Sequence, residues 1–544
     1  MKKIIFILGL AAVVLGTSCS DVLDLNPADR FSPATVWSTT TTADKYVIGL
    51  YSIFGANTEM RGGDAYASPR LSDAYSDILK STSWNQYNHN FNATLLQETA
   101  FNSNSAGAFE CWSSHYDRIR RENEFLRDAA EFGSKFGEDW LKIRIAEVRF
   151  CRAYAYFMLC RVYGGVILRT EVDGPEQNDK ARSTEEECWG FIINELKELA
   201  PDLPLKWDSD NSGRATQKAA YGLLSRVALY AEKWDVAAQA ARDCATAEGN
   251  LDLSKNGYAK IFELGINSPE VLFAVEFKSS VIDHAYDAYV RPSGDTKELG
   301  KQVYSGFVPT SELVDSYEMA GDGGNFSWEK HGKDPYANRE PRFYATILYN
   351  GADWMGRKIE SFVGGKDGYK AYENAGAAGT TVTGYYLRKY LIDGDKTWVT
   401  SGSGQDWIVL RYAEVLLNKA EALAMENWNK NSAEALQALN DVRARVGLPA
   451  RATADKETFL EYVRHERKVE LAGEGFRYWD LRRWRLAEKV IDGQNVHGVK
   501  ISKQSDGSFT YEQVDADGGH KRIFYDRYYR FAIPLSERSN NSLC

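Results

Sequence analysis

Apolar positions along this chain fall into distinct textures. The first is an unbroken run, Ile4 to Leu15, preceded by Lys2 and Lys3 and followed by Gly16, Thr17 and Ser18 before Cys19. A basic start, a greasy segment and small residues before a cut site make a secretory signal. About 12 apolar residues extend only about 18 Å as helix, too short for a hydrocarbon layer of about 30 Å. A cysteine at the cut site points to a bacterial lipoprotein, cleaved before Cys19 and acylated on its sulfur. Leu15 stands one place further from the cysteine than a lipoprotein box usually has it. The plainer alternative is an ordinary leader with a coincidental cysteine.

The second texture is helical. Ala43, Val47, Leu50, Tyr51 and Phe54 recur at three- and four-residue steps and predict a helix over 42–54. Trp112, Tyr116, Ile119 and Phe125-Leu126 do the same over 109–130. A longer helix is expected over 140–163, stopped by Gly164-Gly165. Ser183-Thr184-Glu185-Glu186-Glu187 is a capping signal for 188–199. The segments 216–231 and 234–247 read as a helical hairpin with alanines at facing positions, which lets two helices approach closely, as in tetratricopeptide repeats. Helices are expected again over 407–425, 432–445 and 456–473, with a short one over 477–490.

Between these lie stretches without period. Residues 57–105 are rich in Asn, Ser, Gly and aromatics and suit long surface loops. Residues 261–400 begin with a strand-like run, Val271 to Phe277, and then turn to glycines and aromatics, including Trp328, Trp354 and Trp398. The reading is a mainly α protein: a tetratricopeptide-like helical scaffold with an irregular subdomain, rich in loops and short strands, set on one side. The expected divisions are a leader over 1–18, helical repeats over 19–260, a middle subdomain over 261–400 and a helical region over 401–544.

Charge and composition narrow the function. The 66 Lys and Arg face 76 Asp and Glu, a net of −10, and loss of Lys2 and Lys3 makes the balance more acidic. That argues against nucleic acid, whose phosphates need a basic surplus. Arg482, Arg483 and Arg485 sit among apolar residues and read as internal ion-pair partners. No later apolar run is long enough to span a bilayer, so a lipid anchor is the expected membrane contact. The six cysteines after Cys19 show no zinc-ligand spacing and read as small core residues. No cofactor or metal is implied. Of the 31 Tyr, 24 Phe and 14 Trp many belong to the core, and a surplus outside the helices would suit a ligand with flat apolar faces and polar edges, such as a sugar.

Three stretches, Ile408–Leu423, Ala438–Pro449 and Glu466–Trp484, carry dense Arg, Glu and aliphatic patterns: Arg411, Glu414 and Glu421; Asp441, Arg443 and Arg445; Glu466, Arg467, Glu470, Glu474, Arg477 and Asp480. In this order they resemble the SusD/RagB family of Bacteroidetes outer-membrane nutrient-binding lipoproteins. Weaker matches run over Ala146–Gly164, Pro309–Asp315, Asn338–Phe343, Tyr385–Tyr390 and Ile533-Pro534, the last resembling the family's final strand. Phe476 stands where many members have His, and the chain ends at Leu543-Cys544 without the family's common Pro-Gly-Tyr-like ending. Read from the residues alone, the charged positions of the first and third stretches invite buried or half-buried ion pairs that fix how terminal helices cross, with an active site as the alternative.

The resemblance implies a lipid-anchored protein on the outer face of the outer membrane. It would lie as a lid over a SusC-type TonB-dependent transporter and pass captured oligosaccharide to it. Acid–base cleavage of a glycan would need two carboxylates about 5 to 9.5 Å apart, and nothing in the sequence marks such a pair. His465-Glu466 lacks the second His of a zinc protease helix, and Asp393-Gly394-Asp395 falls short of a calcium loop. The expectation is therefore a non-catalytic glycan binder. A surface glycoside hydrolase and a scaffold without ligand affinity are the alternatives. Candidate ligand residues come from position and chemistry: Asp77, Trp84, Asn85 and Tyr87 after the first helix, and Tyr286, Tyr289, Arg291 and Trp354 in the middle section. Trp112, Trp407, Trp479 and Trp484 are assigned to the core.

Overall fold

The structure is a computed structural model that describes residues 32–60, 71–82, 104–174, 179–246, 257–371 and 380–544. Cys19 and the tether after it, and Trp84, Asn85 and Tyr87, lie outside the described residues. The expected class holds: helices dominate and the strands form short antiparallel pairs.

The principal helices are α1 (Thr40–Leu50), α2 (Trp112–Phe132), α3 (Glu138–Tyr163), α4 (Glu185–Leu199), α5 (Gln217–Tyr230), α6 (Trp234–Thr246), α7 (Tyr412–Ala444), α8 (Lys456–Glu470) and α9 (Arg477–Arg483). Their ends follow local chemistry. Thr184 caps α4: its backbone N donates to the Glu187 carboxylate at 2.8 Å, and its Oγ1 accepts from the Glu187 N–H. Gly164 ends α3 at φ +76°, where its N–H donates to the Cys160 carbonyl at 2.8 Å. Helices α5 and α6 form the expected hairpin. Ala219, Ala220, Ala228, Ala237, Ala238 and Ala241 are buried in it, and α7 packs against α6.

Sequence reading and structure part company in several places. Trp407–Arg411 is a strand, antiparallel to Val271–Val275, and the helix begins only at Tyr412. All five residues of that strand are buried, so no polar helical face exists until position 412. The span α7 then continues to Ala444 as two helices joined at a kink at Asn427, whose backbone is non-helical, in keeping with the two helices expected over 407–425 and 432–445. The stretch 477–490 splits into α9 and a second short helix, Ala487–Ile491. Residues 71–80, expected on the surface, are buried throughout, and Leu79–Ser81 pairs with Phe307–Pro309. Ile533-Pro534 is extended but joins no ladder. Trp112, Trp407 and Trp479 are core residues, whereas Trp484 is only half-buried. A hairpin over 497–515 had no advance signal.

The charged positions are the frame's crossings. Arg411 reaches Glu470 at 2.6 Å, Glu474 at 2.6 Å and Glu270 at 2.8 Å with almost no exposure. Arg342 joins Glu340 to Glu466 and Glu470. Arg443 bridges Glu318 and Glu466, and Arg467 holds Asp480 at 2.8 Å. Burial alone would raise the Glu470 carboxyl, but Arg445, Arg411 and Arg342 hold it well below the usual carboxylate range. Buried apolar side chains from Val36 to Ile533 form one continuous cluster around this lattice.

Candidate functional site

A cleft of about 580 Å³ opens in the middle section, a size typical of small-molecule sites. Its walls are the turn 278–284, the short helix Tyr286–Val290, the segment 301–304 and the segment 398–403. Backbone bonds fix them to one another. Tyr304 N donates to Ala288 O at 2.7 Å, Ser280 N to Ser401 O at 2.9 Å, and His284 and Ser403 exchange bonds at 3.1 and 2.9 Å.

Two half-buried rings pack against each other in the wall. The Tyr289 and Tyr304 centroids are 4.7 Å apart with their planes tilted by 35°. Burial and the neighbouring Tyr304 phenol raise the Tyr289 hydroxyl above its ordinary value, so it stays a donor at neutral pH. Around the rings stand Lys301, Gln302, Thr400, Ser401 and Asp283. Lys301 Nζ donates to the Val399 carbonyl at 2.6 Å and lies 5.6 Å from the Trp398 ring centre. Gly402, at φ +76°, leaves room for the Asp283 carboxylate, which a Cβ there would meet at 2.4 Å. At the rim Val281 and Ile282 are 69 % and 52 % exposed, unusual for large aliphatics in a folded chain. The arrangement offers aromatic faces beside hydrogen-bonding edges, which is the chemistry a sugar ring needs.

Of the described sequence candidates, Tyr289 alone lines this cleft. Tyr286, Arg291 and Trp354 are fully buried behind it, a correction to the expectation that they meet ligand. Tyr286 Oη donates to Lys389 O at 3.0 Å. Arg291 bonds Asp287 at 2.8 Å and lies 5.2 and 5.3 Å from the Trp354 and Trp398 rings. Trp354 Nε1 donates to Asp295 at 3.0 Å. Of these three, Arg291 packs directly behind Trp398, which lines the cleft. Asp77 is also withdrawn from solvent: Arg477 binds it at 2.8 Å and Lys468 at 3.2 Å. Burial works against its charge, but those two cations hold its carboxyl well below the ordinary value.

Tyr304, Lys301, Gln302 and Asp283 were missed by sequence reasoning. Tyr289 and Tyr304 share no period, and only the turn that bonds Tyr304 to Ala288 brings them together. Among the described residues no group of three or more His, Cys, Asp or Glu could hold a metal ion. No described helix is long and apolar enough to cross a membrane.

Comparison with known proteins places the fold. Residues 269–543 match the model described as "SusD family", and residues 21–229 match one described as "Starch-binding associating with outer membrane". A SusD-like protein of Bacteroides ovatus is 25 % identical over 95 % of this chain and 90 % of its own length. A SusD-like protein from Bacteroides fragilis superposes with a TM-score of 0.79 at 27 % identity, covering 94 % of this chain and 97 % of that one. A SusD-like carbohydrate binding protein from the same species superposes at 0.75 with 24 % identity, covering 94 % and 99 %. With one model matching more than half of its length and both halves of the chain accounted for, this protein belongs to the SusD family.

Proposed function

We propose that this chain is a non-catalytic, lipid-anchored glycan-binding protein of the outer-membrane surface. It captures oligosaccharide in the cleft at Tyr289 and Tyr304 and hands it to a SusC-type TonB-dependent transporter. The paired rings of that cleft carry the reading, because they offer a sugar an aromatic platform bordered by polar side chains. Family membership and a relative described as carbohydrate binding support it. The cleft lining contains one carboxylate, Asp283, rather than the facing pair that glycoside hydrolysis uses. That favours capture over cleavage.

Native gels cast with a panel of polysaccharides, combined with chromatography of the supernatant, test this reading. Retarded migration without new saccharide products is expected, with the retardation abolished in Tyr289→Ala and Tyr304→Ala proteins that melt normally. Products that form with the purified protein would make it a hydrolase. Unretarded migration on every glycan would support a scaffold without ligand affinity.

A further inference from the structure

A second pocket, sharing no residue with the cleft, lies where α3, α5 and α9 meet the turn after α9. It measures about 80 Å³, against about 30 Å³ for one water in the liquid. Its wall contains five arginines: Arg161, Arg482, Arg483, Arg485 and Arg530. Two of them are neutralised. Arg483 pairs with Glu421 and Asp480, and Arg530 with Glu185.

Among the described residues the other three form no ion pair, although Glu59 lies near enough to Arg161 and Glu185 to Arg485 for their charges to be felt. Arg482 is 3 % exposed. Its terminal nitrogens bond the carbonyls of Arg161, Val162 and Tyr529 at 3.2, 3.4 and 2.7 Å. Its Nε has no acceptor. Burial, with repulsion from Arg530 and Arg161 in support, pulls its guanidinium down to about 10 despite the Tyr478 phenol. Arg161 sits 4.0 Å from the Trp479 ring centre, its Nη2 reaches only the Met158 sulfur, and its Nε also lacks an acceptor. The buried Trp479 Nε1 is a third donor without one. Arg485 adopts φ +55°, a conformation that costs a non-glycine residue about 1–2 kcal/mol, and stacks on Tyr529 at 4.3 Å. The one carboxylate lining the pocket, Glu232, is exposed and bonds none of them.

Uncompensated guanidinium charge gathered around buried N–H donors is costly unless an anion joins it. Carbonyl bonds explain how Arg482 is fixed, but not why Arg161 and Arg485 converge on it. We propose that this pocket is an oxyanion-binding site that accepts a single sulfate, phosphate or carboxylate group, either as the free ion or as the acidic substituent of a sugar. Glu232 is its built-in competitor: lying on the pocket wall, it repels the incoming anion.

Melting temperatures of the full chain in sodium sulfate and sodium chloride at matched ionic strength test the site. Sulfate stabilises many proteins through solvent exclusion, and that effect is common to all variants. The proposal expects a saturable excess rise in wild type. Arg485→Gln should weaken the apparent sulfate affinity by about threefold or more, and Glu232→Gln should tighten it by a similar factor. Both positions are exposed, so neither substitution threatens the fold. Equal, non-saturating rises in all three proteins would overturn the proposal, as would selenate-soaked crystals with no anomalous peak in the pocket. Glucuronate set against glucose identifies the source. A glucuronate-specific rise points to acidic sugars, and a response to sulfate alone points to the free ion.

Discussion

Arg411 touches three carboxylates in a place where 1 % of its side chain meets water. Removing one member of such a network strands buried charge, which costs about 3–5 kcal/mol. Arg411→Ala should lower the unfolding free energy by that order in urea titration. The same lattice sets the acid limit. Glu470 and Glu474 are held below their ordinary values because Arg445, Arg411 and Lys389 outweigh the burial that would raise them. Their stabilisation is complete above the unfolded carboxylate value of about 4.3, and it is lost as pH falls through the lower folded values. Melting temperature should therefore fall steeply below about pH 4; a curve flat to pH 3 would contradict the lattice. At this scale the sequence was legible in part. Spacing of Arg411, Glu470 and Glu474 announced buried pairs, because charges among aliphatics have few other outcomes. It did not tell a ligand-facing Arg from a structural one. Arg291 and Asp77 have the residue types of a sugar site, but Asp287, Arg477 and Lys468 had already claimed them through contacts distant in the chain or hidden by an irregular backbone.

Helix α9 shows how an element is placed. The loop before it, Gly473-Glu474-Gly475, needs φ of +77° and +78° at its glycines, values that disfavour other residues. That turn aims three backbone N–H groups at one buried carboxylate. Asp73 accepts from Gly473 at 2.9 Å, Gly475 at 3.2 Å and Arg477 at 2.9 Å. A Cβ at Gly475 would meet the Glu59 carboxylate at 2.4 Å. Asp73→Ala leaves three donors buried and should destabilise by about 3 kcal/mol or more, with faster hydrogen exchange at 473–477. Gly475→Ala should cost about 1–2 kcal/mol from backbone strain alone. Sequence reading located long helices such as α3 and α5 to within a few residues, since their apolar runs are long and end signals such as Gly164-Gly165 punctuate them. It failed for Trp407–Arg411, where all five residues are buried and no alternation survives. It failed again for 71–80, whose polar residues are buried through such long-range partners: Asp73 with the 473–477 loop, Lys80 with Asp517 at 2.7 Å.

Across the whole molecule, an ion-paired helical frame carries an irregular section that holds the cleft. Arg291, packed against Trp354 and Trp398, links the buried layer to the cleft wall. Arg291→Ala should thus weaken glycan binding and stability together, whereas Tyr289→Ala should remove binding with a melting temperature within about 1–2 °C of wild type, the usual reach of a surface change. The proposed lipid attachment at Cys19 has its own test. Labelled palmitate should enter the wild-type chain in bacterial cells and be absent from Cys19→Ala, which would then be released from the membrane fraction. The most direct test of the account is a crystal structure grown with the oligosaccharide that retards the protein most strongly. Sugar rings resting on Tyr289 and Tyr304, with hydroxyls bonded to Lys301, Gln302 or Asp283, are the predicted result. An intact oligosaccharide bound elsewhere while this cleft holds only solvent would contradict it.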